Sequence, residues 1–225
     1  MQLISKIKDD VADVVHVQAT SDSGETVKKI LPMKKYIELL TDSMEDSHKM
    51  VSIGQIPNGY YEGKIHPYEP DTFSVAIALP KGLQQIVYGT SSYSVPVPGL
   101  VFVIEVKKQR VVKSLVYVYK GELTEDSPLY HYPFGNVYCN GKICWGGNSL
   151  PKCNVMKDVD KVIALFFGSP TNDDLYSPES NFLDPPEYVL SQRAFLEFLK
   201  GKDEFPENIL METGNVLAEV FLSLI

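Results

Sequence analysis

The chain reads as an α+β protein, an antiparallel β-meander flanked by helices, and three observations predict it. Strand-like runs rich in Val, Ile, Tyr and Phe crowd the middle of the chain, at 73–79, 85–88, 100–106 and 111–119, each bounded by turn residues. Helical periodicity lies to either side, at 33–44 before the meander and at 159–167 and 188–200 after it. Strands and helices are therefore segregated along the chain rather than alternating, which argues against a parallel sheet.

Each element follows from its residues. Residues 14–20 (VVHVQAT) and 26–31 (TVKKIL) predict two strands about the turn Ser21-Asp22-Ser23-Gly24. From Pro32 onward, Met33, Tyr36, Ile37, Leu40 and Met44 recur at the spacing of a helix whose apolar face lies on a core, with the proline in its first turn. The Gly- and Pro-rich segment 54–70 (GQIPNGYYEGKIHPYEP) reads as a connector, and His66 as part of an exposed turn. Strands 100–106 and 111–119, joined by KKQR, predict a hairpin. Lys107, Lys108, Arg110 and Lys113 near its tip read as a solvated, edge-protecting set.

Asp158 as N-cap, followed by Val159, Val162, Ile163, Phe166 and Phe167, predicts a second helix. Residues 168–186 form a long loop with four prolines. A third helix is expected over 188–200 with Gly201 as its stop, and a short helical tail from Pro206. The expected organisation is one domain over 1–225: a hairpin and helix within 1–60, a core at 70–168 and C-terminal helices at 187–225.

Composition narrows the function. A chain of 225 residues can bury a core without a metal or disulfide staple. Its net charge of −8 argues against direct nucleic-acid binding, which normally brings a basic excess. No apolar run reaches membrane-spanning length, and the N-terminus lacks the apolar core of a signal peptide. Three cysteines, an odd count, suit a reducing cytoplasm. No cofactor is expected.

Two of those cysteines frame an Asn-Gly pair in SPLYHYPFGNVYCNGKICWGG, residues 127–147. Asn140-Gly141 predicts a two-residue type I′ turn, which sets Cys139 opposite Lys142, Val137 opposite Cys144 and Asn136 opposite Trp145. Cys139 and Cys144 are then diagonal neighbours with α-carbons about 7–8 Å apart, beyond the roughly 6.8 Å limit of a relaxed disulfide. Cys139, Cys144, Cys153 and His131 lack the paired spacings of a structural zinc site, so no metal is expected, and Cys139 or Cys153 is expected simply to pack. A hydrolase would need a histidine base, and none of His16, His48, His66 and His131 sits in a recognisable context.

Transthiolation makes no such demand. A thiol attacks an activated thioester, and an amide N–H can carry the oxyanion when an amine attacks later. Asn136 is the candidate amide and Cys144 the candidate thiol. In the expected register they project from opposite faces, so the backbone must leave regular pairing beside Cys144, as Gly146 and Gly147 permit.

These residues carry a resemblance. Asn136-Val137-Tyr138, Asn140-Gly141 and Ile143-Cys144 resemble the active-site stretch N-[VI]-Y-x-x-G-x-[IV]-C of ubiquitin-conjugating enzymes. The wider stretch from Ser127, with FFGS at 166–169 and FPENIL at 205–210, is similar to prokaryotic ubiquitin-conjugating-enzyme-like family D, also described as PRTRC system protein B.

The resemblance implies a ubiquitin-conjugating-like core with an N-terminal hairpin extension and C-terminal helices. It implies Cys144 as the thioester cysteine and Asn136 as an oxyanion or backbone-ordering amide, with Asn140, Gly141, Tyr138 and Trp145 shaping the site. It also implies a ubiquitin-like protein, a ThiF-like adenylating activator and a ParB-related protein as partners; oligomeric state stays open. A non-catalytic binding module on the same fold is the alternative. Phe134-Gly135 stands where the eukaryotic enzymes have His-Pro before the asparagine of this motif, and PTNDD follows Ser169 where the bacterial pattern continues with an aromatic and a histidine.

Overall fold

The structure is a computed structural model that describes residues 2–7, 14–47, 54–66 and 69–224. Contacts group the chain into two compact units, Met1–Val51 and Ser52–Ile225.

In the first unit β1 (Gln2–Ile7), β2 (Val14–Thr20) and β3 (Thr26–Pro32) form an antiparallel sheet in that order, followed by α1 (Met33–Ser47). Gly24, at φ 87, closes the β2–β3 turn, and the Ser21 hydroxyl accepts the Glu25 N–H there. β1 was not legible in the sequence: QLISKI is short, and its strand state comes from pairing with Val15 to Thr20 of β2. Pro32 ends β3 instead of opening the helix. Of the expected core-facing stripe of α1, Met33 and Tyr36 are half-buried, while Ile37, 54% accessible, and Leu40 are exposed. Periodicity sets which side chains share a helix face; it does not decide what covers them.

The second unit is built on a six-stranded antiparallel sheet. Its strands are β4 (Tyr60–His66), β5 (Glu69–Leu79), β8 (Gly99–Lys107), β9 (Arg110–Tyr119), β10 (Pro128–Tyr130) and β11 (Glu212–Val216), in the order β11-β10-β9-β8-β5-β4. A two-stranded ribbon, β6 (Gly82–Tyr88) with β7 (Ser91–Val97), stands beside it. Helices α2 (Val159–Gly168), α3 (Pro178–Asn181), α4 (Gln192–Leu199) and α5 (Leu217–Leu222) complete the unit. The protein is α+β, compatible with a ubiquitin-conjugating-like fold.

Several expectations need correction. The connector at 54–70 contains β4, an edge strand half-buried along its whole length, so no clean alternation marks it. β7 carries Pro96, which argues against a central strand, and it pairs only within the ribbon. The C-terminal tail contains β11 before its helix; ETGNV has no apolar signal and becomes a strand by pairing with β10. Asp158 does not cap α2. Its carboxylate turns back to accept the N–H groups of Asn154 at 2.9 Å and Val155 at 3.2 Å. The basic set at 107–113 lies at the end of two central strands, so it protects no sheet edge.

β8 is buried on both faces, which explains the apolar run Leu100–Ile104. Leu100, Phe102, Ile104 and Val106 pack with residues of α2 and α4, and Val101 and Val103 pack with Leu217, Val220 and Phe221 of α5. Phe134 enters the first of these clusters fully buried, stacked on Phe195 at 5.6 Å and edge-on to Phe205. Burying such a ring contributes about 2–3 kcal/mol. It pins the chain two residues before Asn136.

Candidate active site

The segment 136–144 is a hairpin with a three-residue loop. Gly141 N–H donates to Tyr138 C=O at 2.8 Å and Tyr138 N–H donates to Lys142 C=O at 2.9 Å. Gly141 takes φ 79, while Cys139 and Asn140 stay out of the positive-φ region. This is a turn followed by a left-handed bulge glycine, one residue longer than the expected type I′ loop. The Asn140 carboxamide still serves the turn, accepting the Lys142 N–H at 3.1 Å.

One extra loop residue moves every pairing downstream and flips side chains between faces. Val137 now pairs with Ile143, and Cys144 N–H donates to Asn136 C=O at 2.8 Å. Val137 and Ile143 share the buried face. By register, Asn136, Tyr138, Lys142 and Cys144 share the other. The expected register, with Cys144 opposite Val137 and Asn136 opposite Trp145, is therefore corrected, and the objection that set Asn136 and Cys144 on opposite faces goes with it. The irregular backbone lies at Asn136 itself, at φ 66, and beyond the hairpin Gly146 again takes a positive φ.

Two supports hold this hairpin. Below it, Val116 N–H donates to Gly141 C=O at 2.9 Å, and Ile143 N–H to Ser114 C=O at 3.0 Å. The Tyr117 hydroxyl donates to Asn140 C=O at 2.6 Å, and Trp145 Nε1–H to Ser114 Oγ at 2.9 Å. Trp145 thus anchors the return arm to β9. At its entrance, Gly135 N–H donates at 2.9 Å to Oε1 of Gln192, a fully buried residue of α4. The Gln192 amide in turn donates to Thr171 Oγ1, and Gln192 N–H to Asp173 Oδ1 at 3.2 Å. Gly135 has no room for a side chain, since a Cβ there would stand 2.4 Å from Asn172 O.

Gln192 therefore binds together the chain before Asn136 and the loop 170–174 that faces it. The Asn136 amide donates to Pro170 C=O at 2.9 Å across this junction. Asn148 reaches the same region through its amide, which donates to Ser169 Oγ at 3.0 Å. Pro170, Thr171, Gln192 and Ser114 were not picked out from the sequence. A lone Gln at the start of an amphipathic helix, or a Ser and Tyr within a strand, gives no local sign of such a role.

The three cysteines are free and differ in setting: Cys139 is exposed, Cys144 half-buried and Cys153 buried. Cys139 on the loop is thus not a packing residue, while Cys153 is, and burial pushes its thiol up to about 11. Cys144 lines a cleft of about 300 Å³ with Asn136, Trp145, Asn148, Pro170 and Asp174. The Tyr138 hydroxyl donates to Cys144 Sγ at 3.7 Å, and that bond holds the phenol above the usual tyrosine range. Burial lowers the pKa of His131, opposed by a hydrogen bond to the Cys139 backbone. Among the described residues, no group of three or more His, Cys, Asp or Glu side chains could hold a metal ion. No described helix is long and apolar enough to cross a membrane.

The arrangement offers a half-exposed thiol at the edge of a polar cleft, with a phenol against the sulfur and amides along the wall. Compared with known proteins, residues 71–212 match the family model described as prokaryotic E2 family D, more than half of the chain. The match takes in the whole of 136–144. No curated protein and no solved structure matches the chain.

Proposed function

The chain belongs to prokaryotic E2 family D, and on that premise we propose that it is a ubiquitin-conjugating-like thioester transferase. Cys144 accepts a ubiquitin-like modifier from a ThiF-like adenylating activator and passes it to an amine. In loading, the Cys144 thiolate attacks the carbonyl carbon of the activator-bound thioester. A new C–S bond forms, the old one breaks, and the activator's thiolate leaves. In transfer, the amine attacks the same carbon, loses a proton to solvent, and Cys144 leaves as thiolate.

The observation that carries this reading is the hairpin register, which puts a half-exposed Cys144 on the same face as Asn136 at the mouth of the cleft. A reactive thiol has to be partly exposed, and a buried one would be inert. The Asn136 amide is engaged with Pro170 C=O, which supports the backbone-ordering role for this residue over direct contact with an oxyanion.

Incubation with the cognate activator, modifier and ATP tests the proposal. The expected product is an adduct on a non-reducing gel, released by dithiothreitol and lost in Cys144→Ala. It is retained in Cys139→Ala and Cys153→Ala. An adduct that survives Cys144→Ala would overturn the assignment. A second reading, a binding module without chemistry, draws on the absence of a histidine after Ser169. It predicts complex formation with the modifier or activator and no adduct, although the activator charges itself.

A further inference from the structure

We propose that Tyr138 is a catalytic hydrogen-bond donor to the sulfur of Cys144, stabilising it as thiolate both when it attacks and when it leaves. The proposal rests on reading Cys144 as the thioester cysteine and adds the group that carries the sulfur's charge. Its basis is geometric. The three-residue loop locks the Tyr138 backbone on both sides, through its N–H to Lys142 C=O and its C=O to Gly141 N–H. Tyr138 and Cys144 are thereby diagonal neighbours on one face, and the phenol oxygen lies 3.7 Å from Sγ. The two-residue loop would have sent them to opposite faces.

A side chain packed for stability would bury its ring. Tyr138 is 44% accessible, outside both apolar clusters, and its hydroxyl spends its proton on the sulfur. A hydrogen bond to an ionised acceptor is roughly twice as strong as one to a neutral acceptor. The contact therefore favours the thiolate over the thiol. The phenol's own titration is displaced upward by the same bond, so it stays protonated through the range in which a cysteine ionises.

The other titratable groups around the sulfur are Lys142, on the same hairpin face by register, and Asp174 across the cleft. The first favours the thiolate and the second opposes it. Tyr138 makes the direct contact. In both steps of the transfer it keeps its proton and moves no atom: it meets the negative charge on Sγ before the new C–S bond forms and after that bond breaks.

The test needs the protein alone. In a Cys139→Ser background, which removes the exposed competing thiol, the rate of Cys144 alkylation by iodoacetamide is followed against pH by peptide mass spectrometry. Tyr138→Phe keeps the ring and removes the donor. The thiolate fraction at neutral pH is expected to fall about threefold to tenfold, read as a move of the profile's midpoint to higher pH. The limiting rate at high pH is expected to rise, because a more basic thiolate is more nucleophilic. A merely structural tyrosine would leave the midpoint in place, and an unmoved midpoint overturns the proposal whether or not the loading experiment succeeds. Failure of loading with a moved midpoint would instead reject the thioester reading of Cys144.

Discussion

Substituting Gly141 by Ala tests the contact that sets the hairpin register. At φ 79 an alanine adopts the left-handed conformation at a cost of about 1–2 kcal/mol. Its Cβ would also stand 2.3 Å from Tyr117 Cζ, 2.4 Å from Cε1 and 2.6 Å from the hydroxyl. Tyr117 cannot swing away freely, because it is buried within β9 and holds Asn140 C=O. Overpacking of this kind adds about 1–3 kcal/mol, and loss of the hydrogen bond about 1 kcal/mol more. The expected destabilisation is about 3–6 kcal/mol. Gly146 is the internal control: it too has a positive φ, 53, but nothing lies within 4 Å of its Cβ position. Gly146→Ala should therefore cost about 1–2 kcal/mol, the dihedral penalty alone. Urea unfolding followed by fluorescence of Trp145, the single tryptophan, reports on both variants. Equal losses would show that the Tyr117 ring does not discriminate between the sites, and the account of the register would fail.

Two further outcomes follow from the cysteines and from His131. Thiol labelling of the folded protein should modify Cys139 first, Cys144 more slowly and Cys153 only on unfolding; rapid labelling of Cys153, or full protection of Cys144, would contradict the site described. His131 has its pKa lowered by burial, so below its unfolded value of about 6.5 the unfolded chain binds the proton more readily than the folded one. That contribution to stability is complete above this pH and is lost as the pH falls toward the folded pKa. His131→Asn should flatten the dependence of the urea midpoint on pH in this window, and an unchanged slope would refute the assignment.

The meander and the three main helices were legible because periodicity and turn residues are local properties. The hairpin β8–β9 emerged with nearly its observed limits from two Val-rich runs around KKQR. β4, β7 and β11 were not legible, since each is a strand through its partner and not through its own pattern. The two tight turns make the point sharply. Lys108 and Gln109, at φ 49 and 67, adopt the doubly positive turn for which Asn-Gly is preferred. Asn140-Gly141 itself adopts the longer loop. At the first, pairing of two central strands dictates the turn; at the second, the burial of Val137 and Ile143 and the Tyr117 ring beside Gly141 do so.

For the candidate site the division is similar. By itself the sequence determined an α+β chain without a membrane-spanning apolar run, and a hairpin that brings Asn136, Tyr138 and Cys144 close together within nine residues. Only the tertiary structure decided which of them face the same way, because that rests on a glycine meeting a tyrosine 24 residues earlier in the chain. It likewise decided that Gln192 joins the approach to Asn136 to the loop at Pro170, a contact across 57 residues on one side and 21 on the other. Local preference limits what a turn can be. Side-chain volume and hydrogen-bond satisfaction in the packed unit choose among the possibilities.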